Sequence, residues 1–217
     1  HATGTGSATA INAVTGADVV ATGLKGITAT ADGTGTATGI NTNGTGSTVT
    51  VNTATDTDMG ALSAKSAGSA AKGIIAAAGG VNKVYGLTTI DVTGKTEATG
   101  IAAYDADSAN TVTMNSTLKA TAANGPATGI IATNTAINTV TGVTDVEANV
   151  TTAGDARGIV AAGAVNNVNA EQTETFTGHV AATTASGEAD GILAKSTDTG
   201  IAANNVGGVT YVDAEGT

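Results

Sequence analysis

Few residues of this chain carry side chains that could bind a metal ion or transfer a proton. His179 is the only histidine besides His1, cysteine is absent, and Arg157 is the single arginine. A metal centre or an acid–base site needs several such groups close together, and a histidine without partners is usually a solvated loop residue. The sequence therefore predicts neither a metal centre nor a catalytic histidine.

Carboxylates occur in pairs two residues apart, a spacing that could serve calcium binding or the acid–base cleavage of a glycan. The pairs are Asp56/Asp58, Asp105/Asp107 and Asp145/Glu147. They fall at different phases of the repeat described below, so they should not meet in one site. We expect no enzymatic activity, no catalytic, cofactor-binding or metal-binding residues, and no cofactor. A loose Ca²⁺ site at Asp105/Asp107 or Asp56/Asp58 stays open.

The elements that would position any site must be built from small residues. The 217 residues include 44 Ala, 43 Thr and 31 Gly, but only three Tyr and one Phe. Large side chains normally fill a core, so this core must be thin. The net charge of −10, with eight Lys and Arg, argues against nucleic-acid binding and against an anionic membrane surface. No apolar run approaches a membrane span, so we expect no membrane insertion.

One phrase, Ala-x-Gly-Ile, returns along the chain at intervals of 25 to 35 residues. Its glycines, called marker glycines below, are Gly4, Gly39, Gly73, Gly100, Gly129, Gly158, Gly191 and Gly216. The residues that follow them form an aliphatic column predicted to fill the core: Ile40, Ile74, Ile101, Ile130, Ile159 and Ile192. Such a period indicates a repeat architecture, in which each unit buries its apolar face against its neighbours.

A second phrase, aliphatic-Asn-x-Val and weaker copies of it, supplies a column of asparagines. Its members are Asn12, Asn82, Asn110, Asn138, Asn166 and Asn204. Asn tolerates the left-handed region, and Gly can bend a strand and reset its alternation. The asparagines and the marker glycines from Gly39 to Gly191 are therefore predicted to be corners between short strands. We expect the asparagine amides to form a ladder from coil to coil, with ordinary turn asparagines as the alternative.

The remaining phrases are rich in Thr and Val and alternate apolar with polar residues, which is typical of strands. The sequence predicts an all-β fold, a parallel β-solenoid or β-helix with about seven coils of 25 to 35 residues. Residues 1–217 would form a single domain, a rod roughly 34 Å long at about 4.8 Å per coil.

The phrase Ala-x-Gly-Ile-x-Ala, followed by Asn-x-Val and Thr/Val strands, resembles the passenger repeats of bacterial autotransporters and filamentous-haemagglutinin-like surface adhesins. The resemblance covers the whole chain, through short phrases of low complexity. It implies a right-handed parallel β-helix, an extracellular or cell-surface location, a structural or adhesive role, and a surface glycan or host molecule as partner.

A third column lies between the inward Ile and Ala of the marker phrase and should point outward. Its members are Ile75, Ala102, Ile131, Val160 and Leu193. An exposed aliphatic stripe needs a cover, which could be a lateral neighbour, a partner strand or a loop of the same chain. The phrases Ala2-Thr3-Gly4 and Ala214-Glu215-Gly216 share one phase of the repeat. This match predicts either end-to-end self-association or an excerpt of a longer solenoid.

The leading hypothesis is an extracellular structural protein, either the subunit of a head-to-tail filament or the stalk segment of a surface adhesin. The alternative is a glycan-binding or glycan-cleaving β-helix, which needs acidic residues to converge with Tyr104, Tyr211 or lysines in one groove. An ice-binding solenoid is a further alternative. It needs a flat, registered array of threonines, and Thr-x-Thr pairs such as Thr48/Thr50 and Thr111/Thr113 fall at different phases.

Overall fold

A computed structural model describes residues 1–56, 59–170, 178–197 and 201–216. These residues form strands connected by short turns, and no helix. The strands are β1 (Ala2–Gly4), β2 (Ala8–Val14), β3 (Asp18–Ala21), β4 (Ile27–Ala31), β5 (Ala37–Asn43), β6 (Thr48–Val51), β7 (Gly60–Ser66), β8 (Ala70–Ala77), β9 (Val81–Gly94), β10 (Glu97–Tyr104), β11 (Ala109–Met114), β12 (Thr117–Asn124), β13 (Ala127–Thr133), β14 (Ile137–Thr141), β15 (Asp145–Ala153), β16 (Ala156–Ala162), β17 (Val165–Val168), β18 (Gly178–Thr184), β19 (Ala189–Lys195), β20 (Ala203–Val206) and β21 (Val209–Glu215).

Consecutive strands wind around one axis and form about seven coils of about 29 residues each. The first face is the seven-stranded sheet β2-β5-β8-β10-β13-β16-β19. The second face contains β3, β6, the start of β9, β11, β14, β17 and β20. The third face contains β1, β4, β7, the end of β9, β12, β15, β18 and β21. Neighbouring strands are parallel, so the predicted all-β parallel solenoid is confirmed.

The second and third faces belong to one fourteen-stranded sheet because β9 runs without a break through the corner between them. Gly86, with φ of 77°, lies at this bend. Between β11 and β12, and between β14 and β15, a short turn separates the two faces. The cross-section of the rod is therefore set mainly by short strands, and one long strand bridges two faces in the third coil.

The core is a narrow stack enclosed by the three faces, and the second face contributes a buried column that includes Val84, Val112 and Val140. On the first face the predicted isoleucine column from Ile40 to Ile159 is fully buried. Large side chains from the third face, such as Leu62, Ile90 and Leu118, are equally buried opposite it. Ile192, in the same column, is 38% exposed because the coil of β19 is covered on one side only within the described chain.

The six marker glycines from Gly39 to Gly191 lie inside strands of the first face, not at corners between strands, so this part of the prediction is wrong. None of Gly39, Gly73, Gly100, Gly129, Gly158 and Gly191 has a positive φ. Their true constraint is close approach. A Cβ built on Gly100 would lie 2.5 Å from Cδ2 of Leu118 and 2.5 Å from the carbonyl oxygen of Gly129. Glycine is therefore required where a large side chain of the third face presses on the first.

The alternation of inward and outward residues does shift at each marker glycine, as the sequence indicated. Ala127, Ile130 and Ala132 are all fully buried, although strict alternation would put Ala127 on the opposite face from the other two. Pairing between β13 and β16 joins Thr128 to Arg157 and resumes at the isoleucines beyond the glycines. Because of this shift, the alanine before the marker glycine and the isoleucine after it both point into the core.

The corners between the first and second faces lie elsewhere and use other residues. Positive φ occurs at Ala78 and Gly79, at Asp105 and Asp107, at Asn134 and Thr135, and at Gly163. These residues follow the strands of the first face in successive coils. The predicted asparagine corners, by contrast, have no positive φ and lie within strands, Asn12 in the first face and the other five in the second.

The predicted asparagine ladder is present, and it is buried. The side-chain Nδ2 of Asn82 donates to Oδ1 of Asn110 at 2.8 Å, and equivalent bonds of 2.8 to 2.9 Å continue through Asn138 and Asn166 to Asn204. Each Nδ2 also donates to a backbone carbonyl of the first face, namely that of Ile75, Ala102, Ile131, Val160 or Leu193. The ladder thus ties neighbouring coils together and fastens the second face to the first.

The sequence assigned Asn12 and Gly4 to the wrong columns, because the first coil repeats the two phrases at a different phase. Asn12 pairs with Asn41, in the outward column of Ile75, and does not belong to the ladder. Thr42 donates to Asn82 and continues the ladder where the second coil lacks an asparagine. Gly4 pairs with Ala31 on the third face, so it is not a marker glycine. Ala10, and not a glycine, precedes Ile11 in the first coil.

Candidate functional site

The outer surface of the first face forms a groove that runs along the rod, called the outer groove below. Its floor is the predicted lateral column, Ile75, Ala102, Ile131, Val160 and Leu193, continued by Asn12 and Asn41. One border carries Thr38, Lys72, Thr99, Thr128, Arg157 and Asp190. The other border carries Asn43, Ala77, Tyr104, Thr133, Ala162 and Lys195. Polar groups therefore stand along both sides of an apolar floor.

Most of the floor is already covered within the chain. Ala102 is fully buried, and Ile75 and Val160 are each 6% exposed, while Ile131 and Leu193 are half-buried. A cover from the same chain, one of the alternatives that the sequence left open, therefore accounts for most of the outward stripe. Ile131 and Leu193 remain as the part of the floor that a ligand could reach.

Tyr104 stands beside the fully buried Ala102 of the floor. Thr99 lies on the other side of Ala102, on the same outward side of β10, and its hydroxyl donates to Glu97 at 3.1 Å. Burial, followed by the negative charge of Glu97, raises the pKa of Tyr104 to about 12, against the opposing effect of Thr99. The large side chain of Tyr104 thus lies beside the small side chain of Ala102 in the floor.

Two charged clusters lie along the same groove. Lys72 pairs with Glu97 at 3.5 Å, next to Tyr104. Further along, Arg157 contacts three carboxylates: Asp155 at 2.7 Å, Asp190 at 3.5 Å and Glu188 at 3.7 Å. The pairs of Lys72 with Glu97 and of Arg157 with Glu188 and Asp190 connect neighbouring coils, whereas Asp155 belongs to the same coil as Arg157.

Beside the arginine cluster the groove opens into a pocket of about 390 Å³. Its floor is Ile131, Val160 and Leu193, and Arg157 and Lys195 stand on opposite sides. An apolar platform flanked by charged side chains can hold a ligand that has both apolar and hydrogen-bonding surfaces.

Comparisons with protein-family models, with curated proteins and with solved structures find no match. The β-solenoid itself is shown by the strand pairing. The resemblance to autotransporter and haemagglutinin-like repeats rests on the sequence phrases alone and stays a prediction.

The three acidic pairs lie in separate places. Asp105 and Asp107 occupy a turn between the first and second faces, where Nδ2 of Asn134 donates to Asp105 at 3.4 Å. Glu147 pairs with Lys119 at 3.2 Å on the third face. The backbone amide and the hydroxyl of Thr53 both donate to Asp56 and lower the pKa of its carboxyl.

Asp58 lies outside the described residues. Within the described ranges, no group of three or more His, Cys, Asp or Glu side chains could hold a metal ion. A Ca²⁺ site at Asp105/Asp107 or Asp56/Asp58 therefore stays a prediction, and no cluster of acidic side chains among the described residues supports it.

His179 and Tyr211 lie far from the outer groove, on the third face, where they occupy paired positions in β18 and β21. Nε2 of His179 is 3.5 Å from a carboxylate oxygen of Asp213, and Tyr211 is exposed. Of the tyrosines considered for glycan binding, the fold thus brings only Tyr104 to the groove.

Threonines of the second face are registered in part. Thr111 and Thr113 pair with Thr139 and Thr141 in the next coil. On the other side of β11, however, Lys83 interrupts the column at the position of Thr111. The Thr139/Thr141 pair was missed in the sequence, and its alternation with Val140 was the signal that could have revealed it.

Two asparagines with structural roles were also missed by sequence reasoning. Asn52 and Asn169 have left-handed φ values of 60° and 50°. Asn52 exchanges hydrogen bonds with the backbone of Leu24, and Asn169 accepts from Gly142 and donates to Val143. Both close a corner of the second face against the previous coil, and a Val directly before Asn at the end of a strand was the available signal.

A helix able to cross a membrane does not occur in the described part of the chain.

Proposed function

We propose that this chain is a non-enzymatic structural rod that is displayed outside the cell, as the subunit of a filament or as the stalk segment of a surface adhesin. The observation that supports the proposal is the register of the coils. One column passes through Ala2, Ala29, Ala64, Val92, Ala120, Ala148, Ala182 and Ala214. The same inward chemistry thus repeats at every level of the stack.

A stack with this register can be extended at either edge. Within the described chain, β19, β20 and β21 each pair with one neighbour, as do β2, β3 and β1 at the opposite edge. Their outer backbone groups are available for further parallel pairing. Additional coils, from the same polypeptide or from a second copy, would continue the core column and the asparagine ladder.

The filament version is tested by placing a charge where stacked coils would bury it. Ile192 belongs to the inward core column and is 38% exposed at the edge of the stack. We expect the 217-residue chain to form rods longer than one copy at high concentration, seen by electron microscopy and sedimentation, and Ile192→Asp to shorten them.

The matched control is Val14→Asp, because Val14 is 44% exposed but lies in the outward border of the groove. It should leave the rods unchanged. Single-copy particles at every concentration would rule out the filament and leave the stalk. Antibody labelling of intact cells that carry the protein tests the stalk, and labelling only after lysis would contradict a surface location.

A second candidate is glycan binding or cleavage in the outer groove. It is supported by the convergence of Tyr104, Lys72 and Glu97, and by the pocket between Arg157 and Lys195. Carboxylates and aliphatic groups in one groove suit a sugar, which presents hydroxyls and an apolar face.

The test of the second candidate is binding of the chain to a panel of neutral and acidic glycans. Lys195→Ala should weaken binding several-fold, while Lys119→Ala, on the third face, should not. Equal binding by the two variants would place the glycan elsewhere, and no binding to any glycan would remove this candidate.

A further inference from the structure

The pocket of the outer groove has more negative than positive groups around it. Arg157 lies on one border among the carboxylates of Asp155, Glu188 and Asp190, and Lys195 stands on the opposite border. Three carboxylates and two basic groups leave one excess negative charge at the pocket. The chain as a whole carries a net charge of −10, so its other charges do not reverse this sign.

Arg157 is already occupied by its own chain. Its Nη2 donates to Asp155 at 2.7 Å and lies 3.7 Å from Glu188, and its Nε lies 3.5 Å from Asp190. Only 27% of its side chain is exposed. An anionic ligand at this border has to displace one of the three carboxylates or approach them closely, and like charges held side by side repel one another strongly. The cluster therefore disfavours a ligand that carries carboxylates of its own.

The same cluster offers hydrogen-bond acceptors to a ligand. Glu188 and Asp190 both line the pocket, and the carboxylate of each has one ion-pair contact, with Arg157, among the described residues. An ionised carboxylate has about four acceptor positions, so most of them remain for the ligand. On the opposite border the ammonium group of the exposed Lys195 is a hydrogen-bond donor. Hydroxyl groups can donate to the first border and accept from the second.

The floor between the borders suits the apolar face of a sugar. Ile131, Val160 and Leu193 come from three successive coils, so they extend over about 10 Å along the rod at about 4.8 Å per coil. The pocket volume of about 390 Å³ lies near the lower end of the range of about 300–1,000 Å³ that is usual for small ligands. A short stretch of a glycan fits this space, with its C–H face on the floor and its hydroxyls towards the borders.

We propose that the pocket selects neutral glycans over acidic ones. This inference rests on the glycan-binding candidate proposed above and narrows its ligand to one class. Hydroxyls of one sugar unit donate to Glu188 and Asp190, which Arg157 holds in place, and a hydroxyl further along accepts from Lys195. A uronic acid in the same position brings its own carboxylate against these acceptors, and none of the three has a proton to donate.

The test compares oligosaccharides that differ in charge and are matched in length. Isothermal titration calorimetry of the 217-residue chain uses oligomers of glucose, mannose and galactose, and the oligomers of the corresponding uronic acids. Salt at about 0.15 M screens charges beyond about 8 Å, so that the overall charge of the chain has little effect. We expect at least one neutral series to bind at least about tenfold more tightly than its acidic counterpart, because the acidic ligand replaces hydrogen bonds with a contact between like charges.

A double variant tests the assigned cause. Glu188→Gln combined with Asp190→Asn removes two negative charges, keeps groups that form hydrogen bonds, and frees Arg157 from two of its three carboxylates. The acidic oligomer should bind this variant at least about tenfold more tightly than it binds the native chain, because Arg157 can then pair with a carboxylate of the ligand. Loss of the fold cannot produce such a gain in binding.

The matched control is Asp91→Asn combined with Glu147→Gln. It removes the same charge from the third face, where both carboxylates pair with lysines. The control should bind both classes of glycan as the native chain does, and circular dichroism checks that both double variants are folded. Acidic binding as tight as neutral binding in the native chain, no gain in the groove variant, or the same gain in both variants would overturn the selectivity and leave glycan binding itself standing. A chain that binds neither class would overturn both proposals.

Discussion

At the residue scale, the fold depends both on large side chains that fill the core and on glycines, which have no side chain. The isoleucine column fills the core, and each marker glycine leaves room for a large side chain of the third face. Leu118 fits only because Gly100 has no Cβ. Composition gave the thin core correctly, but it could not distinguish a glycine that bends the chain from one that admits a neighbour.

Gly100→Ala should destabilise the solenoid. The new Cβ would lie 2.5 Å from Cδ2 of Leu118 and 2.5 Å from a backbone carbonyl oxygen, and only the leucine can move aside. Overpacking of this kind costs about 1–3 kcal/mol, so the urea midpoint should fall. Gly6→Ala is the control, because no atom lies within 4 Å of its Cβ position. Equal midpoints for the two variants would contradict close packing at the marker glycine.

The phenol of Tyr104 should make stability depend on alkaline pH. Its pKa is about 12 in the folded chain and 10.0 without the fold, so the folded state holds the proton more tightly. This contribution to stability is fully present below pH 10 and is lost as the pH rises towards 12, because burial disfavours the phenolate. In urea unfolding, the difference between the native chain and Tyr104→Phe should be constant below pH 10, and the native chain should lose stability relative to Tyr104→Phe as the pH rises towards 12. A difference that stayed constant up to pH 12 would show that the phenol titrates equally in both states.

At the element scale, strands stack because each presents the same column to its neighbours. The sequence predicted the strands, their parallel stacking and the asparagine ladder, since these follow from residues that recur at one phase. It did not predict the corners, because Ala78, Asp105, Asn134 and Gly163 share no residue type across coils. It also misplaced Asn12, because the first coil repeats the phrase in another strand. It predicted the outward column that forms the floor of the outer groove, but not how much of that column is buried, since this depends on side-chain direction.

Asn138→Ala should break the ladder at its middle. The substitution removes the acceptor of Asn110, the donor to Asn166 and the donor to the Ile131 carbonyl, all of them buried. Buried polar groups without partners cost about 1–3 kcal/mol each, so unfolding should need clearly less urea. Asn205→Ala is the control, because Asn205 bonds only Asn167 in an exposed pair. If both variants lost a similar amount of stability towards urea, the buried ladder would stabilise the fold no more than an exposed hydrogen bond does.

At the scale of the whole molecule, the rod divides its surface by charge. The outer groove and the third face carry ion pairs, whereas the strands β11, β14, β17 and β20 of the second face contain no charged residue. The stack thus offers edges for further coils and a groove with charged borders. The edges and the apolar floor of the groove follow from the repeat, but the ion pairs beside the floor depend on which outward columns become neighbours.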